Sequence, residues 1–117
     1  MTDVDKSIVE LAKSLGEDLA DTEEFKQKQE SEEVLRQNEE ARKLVKEFKN
    51  LKNSFERMER LGAALTDKNR QQLKDAEEKA MQHPMVKEWY EKSQNFYDLV
   101  IKVNEKMQEM MINSTKK

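Results

Sequence analysis

Cysteine is absent from this 117-residue chain, and histidine occurs once. No disulfide, thiolate metal site, cysteine-ligated cluster or cysteine nucleophile can therefore form. One imidazole leaves no second histidine for a metal cluster. Glycine is limited to Gly16 and Gly62, which are isolated, so neither a GxGxxG nor a Walker A loop is possible. No apolar run reaches the roughly 18 residues of a transmembrane helix. The acidic start, Met1-Thr2-Asp3-Val4-Asp5, lacks the apolar region of a secretory signal, so a cytoplasmic location is expected. Apolar residues are also scarce, at 35% of the chain against about 45–50% in an ordinary domain.

Scarcity of this kind suggests disorder, but disorder also requires a high net charge. Here 22 Lys and Arg oppose 25 Asp and Glu, leaving a net charge of −3. Such composition fits long helices with charged surfaces and narrow apolar seams. The length fits one domain over 1–117.

Low Gly and Pro with abundant Glu, Lys, Gln, Leu and Ala favour helix throughout. A first helix is expected from about Asp3 to Ala20, with Val4, Ile8, Leu11, Leu15 and Leu19 on one face. Gly16 inside it suggests close packing. Asp21 is expected to cap the next helix, with Glu24 returning the bond. From Thr22 to Gln37 the pattern weakens to Phe25 and Val34/Leu35, a solvated or partly mobile helix. Asn38 before Glu39 and Glu40 reads as a new N-cap with acids in the first turn. The chain either kinks there or runs through.

The stretch from Glu39 to about Leu61 carries Ala41, Leu44, Phe48, Leu51, Phe55 and Met58 at alternating steps of three and four, a heptad seam. Gly62 reads as the residue just past its C-cap. Thr66-Asp67 starts a fourth helix reaching about Met81. Its few small apolar positions, Leu73, Ala76 and Ala80, place it across a groove rather than in a core. His83-Pro84 ends that helix and opens the last one, because the residue before Pro resists the α region and Pro suits a first turn. From Pro84 to about Ile112, Val86, Trp89, Ser93, Phe96, Val100, Val103, Met107 and Met110 form an unbroken heptad series. That helix would be roughly 44 Å long, with a frayed tail over 113–117. The pairs Glu24–Lys28, Glu39–Lys43, Glu56–Arg60, Asp75–Lys79 and Glu88–Lys92 are expected to support the outer faces. The fold class is all-α, an elongated bundle of four to five helices with antiparallel hairpin packing.

The layout resembles the YlbF/YmcA family of small all-helical bacterial proteins, and most closely its YheA-type members. Asn38-Glu39-Glu40-Ala41-Arg42-Lys43-Leu44-Val45-Lys46-Glu47-Phe48 resembles that family's acidic N-cap and Leu-x-x-x-Phe helix. His83-Pro84-Met85-Val86-Lys87-Glu88-Trp89-Tyr90 resembles its Asn-Pro-x-Val/Ile-x-x-Tyr/Phe turn into the last helix. Leu15-Gly16, the Thr22-Glu23-Glu24-Phe25 entry, Gly62, and the closing Phe96, Leu99, Val103 and Met107 also fit. The resemblance spans about 4–112 and implies a cytoplasmic helical homo- or hetero-oligomer. It also implies a non-catalytic adaptor, of the kind linked to competence, sporulation, biofilm control and RNA processing through RNase Y. Without cysteine, the iron–sulfur cluster of better-known relatives is not carried over.

Leu44, Phe48, Leu51, Phe55, Val86, Trp89, Phe96, Val100 and Val103 are expected to form the core and self-interface seam. Tyr90, Met110 and Met111 are the candidates for contact with a partner. His83 reads as a turn or capping residue, since no Ser/Asp constellation or Glu-x-x-His pair surrounds it. Paired carboxylates for a di-metal site would have to face a bundle core, whereas these lie on polar faces. No catalytic residue, cofactor, metal, small-molecule substrate or membrane contact is expected. The apolar deficit points to a homodimer joined by helix packing. The leading reading is a non-catalytic adaptor acting through protein contacts. The alternative is a nucleic-acid-associated regulator using the modest basic side of Lys43, Lys46, Lys49, Lys52, Arg57 and Arg60, which Glu47 and Glu56 interrupt.

Overall fold

A computed structural model describes residues 2–115, and all of its regular structure among them is helical. Five helices follow one another: α1 (Asp3–Ala20), α2 (Glu23–Arg36), α3 (Glu39–Arg60), α4 (Asp67–Met81) and α5 (Pro84–Thr115). Their ends are set by local chemistry. Thr2 accepts from the Asp5 N–H and the Asp5 carboxylate returns the bond, closing a capping box that sequence reading did not pick out. Asn38 accepts from the Ala41 N–H at 2.9 Å, and its extended backbone (φ −103, ψ 115) breaks the chain between α2 and α3. Thr66 caps α4 by accepting from the Asn69 N–H. At the end of α3, the Gly62 N–H bonds the Glu59 carbonyl and the Ala63 N–H bonds the Met58 carbonyl, each at 3.0 Å. This Schellman arrangement needs the left-handed φ of 90° that Gly62 supplies.

Several expectations are corrected. The cap of α2 is Thr22, not Asp21. The Asp21 backbone is still helical and closes α1, while the Thr22 hydroxyl donates to the Leu19 carbonyl at 2.7 Å and accepts from the Phe25 N–H at 3.2 Å. Gly16 serves no close approach, because a Cβ built there would meet nothing within 4 Å. The weakly patterned stretch is a helix, one of the two readings expected of it, but it also buries Ser31 and Leu35. The last helix continues through Asn113, Ser114 and Thr115, where fraying was expected; residues 116 and 117 lie outside the described residues. Its 32 residues correspond to about 48 Å. Of the expected charge pairs, Glu39–Lys43, Glu56–Arg60, Asp75–Lys79 and Glu88–Lys92 do not close among the described residues. Ion pairs form instead at positions such as Glu32–Arg36 (3.4 Å) and Glu10–Lys13 (3.2 Å). They are solvent-exposed and contribute little to stability.

The chain divides into two compact units, one of Met1–Glu30 with Lys92–Lys117 and the other Ser31–Glu91. In the second unit, Leu35, Ala41, Ala80 and Val86 form a buried cluster, with Leu44, Val45, Met81, Met85 and Trp89 packed around it. Here α4 departs from expectation. It does not merely cross a groove: α3 and α4 approach each other closely, and Ala80 is 4% exposed against an Ala41 that is fully buried. Alanine lacks the bulk that would hold two helix backbones apart, so the small residues that seemed too slight for a core are what allow the contact. Because Ala41 opens α3 and Ala80 closes α4, the pair forms an antiparallel hairpin through the Gly62 turn.

Candidate functional site

The predicted seam is built by three helical rows. Leu44, Phe48, Leu51 and Phe55 stand on α3, with Val86 and Trp89 on the first turns of α5, all in the Ser31–Glu91 unit. Phe96, Val100 and Val103 stand farther along α5, in the other unit. Only Phe55 (7% exposed) and Val86 (3%) are buried; the other seven are partly covered. The seam also frays at the end of α3, where Met58 and Leu61 are exposed. Tyr90, Met110 and Met111 are exposed, at 47%, 51% and 62%.

The unit containing α1 and the later part of α5 has no buried residue among its described positions. Its internal packing includes Phe25 against Phe96, an edge-to-face ring pair with centroids 5.2 Å apart. Yet Val4, Ile8 and Leu11 on α1 are 58–68% exposed. They recur at steps of four and three, so they share one helix face. On α5, Ile101, Met107, Met110, Met111 and Ile112 are also exposed. Singly exposed apolar side chains are ordinary, but contiguous rows on helices mark contact surfaces.

The other unit carries a different surface. The Lys49 ammonium lies 5.3 Å from the centroid of the Trp89 ring, within cation–π range. A cleft of about 220 Å³ opens beside that ring, bounded by Val45, Phe48, Ala80, Met81 and Val86, with Lys49, Lys52, Glu77 and Tyr90 at its edges. A second, shallower groove also borders Trp89, and its lining includes Leu35, Arg36, Arg42, Lys46 and Lys49. The Trp89 Nε1–H is buried and has no hydrogen-bond partner among the described residues. His83 accepts a bond from the Met85 N–H through Nδ1 at 3.3 Å, so it works as a cap for α5. Of the basic row on α3, the structure brings Lys46, Lys49 and Lys52 to the grooves around Trp89.

Sequence reasoning missed Arg42 and did not place Leu35 or Ala80 in the core, while Ala41, read as part of the α3 seam, is fully buried. Leu35 was visible only as half of an apolar pair; its neighbour Val34 is 49% exposed. A signal for Arg42 was available in its spacing, four residues before Lys46 and seven before Lys49.

Among the described residues no group of three or more His, Cys, Asp or Glu could hold a metal ion. No helix there is long and apolar enough to cross a membrane. What the geometry offers among the described residues is apolar surface in rows, a cleft of side-chain size, and cations beside it that close no ion pair there. Those are instruments of binding.

The family model described as control of competence regulator ComK, YlbF/YmcA, matches residues 8–111. A solved structure described as a protein of unknown function (DUF964) from Bacillus stearothermophilus is similar, with a TM-score of 0.87 and 17% identity, covering 94% of this chain and 96% of that one. At that identity the likeness bears on the fold alone. No curated protein matches the chain.

Proposed function

The chain belongs to the YlbF/YmcA family, and from that premise we propose that it is a non-catalytic adaptor that self-associates and regulates another protein by helix-mediated contact. The observation that carries the reading is the unit of Met1–Glu30 with Lys92–Lys117, whose described residues include none that is buried. Helices short of apolar burial draw their stability from tertiary packing. An isolated unit with exposed rows at Val4, Ile8 and Leu11 and at Met107, Met110 and Met111 has that packing still to make. A second copy supplies a matching pair of rows.

Two-fold symmetry would place the same face on both copies, since it makes interfaces self-complementary. The regulatory part of the reading is supported by the family's description as a control of the competence regulator ComK.

The native chain has no cysteine, so one Ile8→Cys substitution accepts a single nitroxide spin label. A label at Gln72, on the exposed side of α4, serves as reference. The expected result is an immobilised spectrum at position 8 and a mobile one at position 72. Equal mobility at the two positions would overturn self-association through α1.

A further inference from the structure

We propose that the two grooves bordering Trp89 form a docking surface for an acidic amphipathic helix of a partner protein. An apolar side chain of that helix seats beside Trp89 and its carboxylates meet Arg42, Lys46, Lys49 and Lys52. The surface lies within the Ser31–Glu91 unit. It rests on the adaptor reading but not on self-association, which was placed on the other unit.

Charge complementarity identifies the occupant. The chain as a whole carries −3, yet the two grooves are lined by five cations and two carboxylates, a local net of +3. Glu32 and Arg36 pair with each other at 3.4 Å, which leaves Arg42, Lys46, Lys49 and Lys52 against Glu77. Arg42, Lys46 and Lys52 make no ion pair among the described residues, and Lys49 rests on the Trp89 ring instead. Along α3 the four cations follow steps of four, three and three, so they form one stripe of the helix. Acids at the same spacing on a facing helix would meet that stripe residue by residue. Between the cations the surface is apolar, with Val45, Phe48 and Trp89 at its centre. An apolar groove with charged edges is the usual receiver of an amphipathic helix.

Size and shape separate this occupant from others. The cleft, about 220 Å³, is smaller than the roughly 300–1,000 Å³ of small-molecule sites but larger than the ~150 Å³ that holds a benzene ring. One large apolar side chain fits it. Single-stranded nucleic acid needs an open aromatic face on which to stack a base, and here the Lys49 ammonium stands over the ring of Trp89.

Trp89 is the only tryptophan, so its fluorescence reports occupancy of the grooves. The full chain is titrated with a synthetic helical peptide about three heptads long, Leu at a and d and Glu at the flanking positions. We expect saturable change in Trp89 emission and binding that weakens about tenfold between low and high salt, as expected for charge contacts at a surface. A peptide with Gln for each Glu is expected to bind about tenfold more weakly. The double substitution Lys46→Glu with Lys49→Glu, at exposed positions, should cost the acidic peptide a similar factor and confer binding of the Lys version of the peptide. That gain also reports that the variant is folded. Equal binding of the Gln peptide, tighter binding of a single-stranded RNA, or no response of Trp89 would each overturn the proposal. So would a change of Trp89 emission on dilution alone, which would mean that a second copy covers the grooves. A silent Trp89 beside an immobilised label at position 8 would remove the docking surface and leave self-association standing.

Discussion

Replacing Leu11 by aspartate separates an interface residue from a core residue. Leu11 is 68% exposed in the single chain, so its loss takes little from the fold of one protomer. The change in helix propensity is at most about 0.7 kcal/mol. Covering the exposed part of the side chain in an assembly is another matter. Full burial of a leucine side chain is worth about 1.5–3 kcal/mol, and two thirds of that is about 1–2 kcal/mol. A two-fold dimer loses the term twice, about 2–4 kcal/mol in all, or roughly 30-fold to several-hundred-fold in the dissociation constant. Burying the carboxylate would add to the penalty. Sedimentation equilibrium over a concentration series measures that constant, and a thermal melt at low concentration checks the protomer. Leu61→Asp is the control, because Leu61 is 81% exposed at the end of α3, in the Ser31–Glu91 unit and not in the one that carries the proposed face. A dissociation constant for Leu11→Asp within about threefold of the native one, a difference below 1 kcal/mol, would refute the reasoning.

Other substitutions test single elements. Gly16→Ala is expected to stabilise the chain by about 0.5–1 kcal/mol, read by urea unfolding, because a Cβ there meets open space and alanine is the better helix former. Asn38→Ala should cost about 1 kcal/mol in the same assay by removing the bond to the Ala41 N–H at 2.9 Å. Ala80→Leu should cost about 1–3 kcal/mol through overpacking against α3, seen as a lowered melting temperature, although it adds apolar surface.

Features written in local chemistry were the ones legible in the sequence. Asn38, Thr66, Gly62 and Pro84 each mark a helix end because one side chain or one backbone angle decides the outcome, and all four do so here. The α2 cap was misplaced by one residue because Asp21 and Thr22 are both good caps, and only the path of the chain out of α1 chooses between them. The packing of α4 was not legible. Periodicity weighs residues by apolar bulk, whereas Ala41 and Ala80 act by having little of it. The heptad series of α5 names a face without naming what covers it, so Val86 is buried and Met110, on the same series, is half exposed. The groove around Trp89 draws on α2, α3, α4 and α5 together, and no local pattern reports such a convergence. The basic row of α3 was visible, but its pairing with an apolar cleft required the fold.

The apolar shortage of the sequence and the unit with no buried residue among its described positions converge on one claim, that the protomer completes its burial with another copy. Multi-angle light scattering on the native chain at micromolar concentration tests it most directly. The account predicts a mass of twice the 13.9 kDa protomer; a species that stays at 13.9 kDa across the concentration range would contradict it.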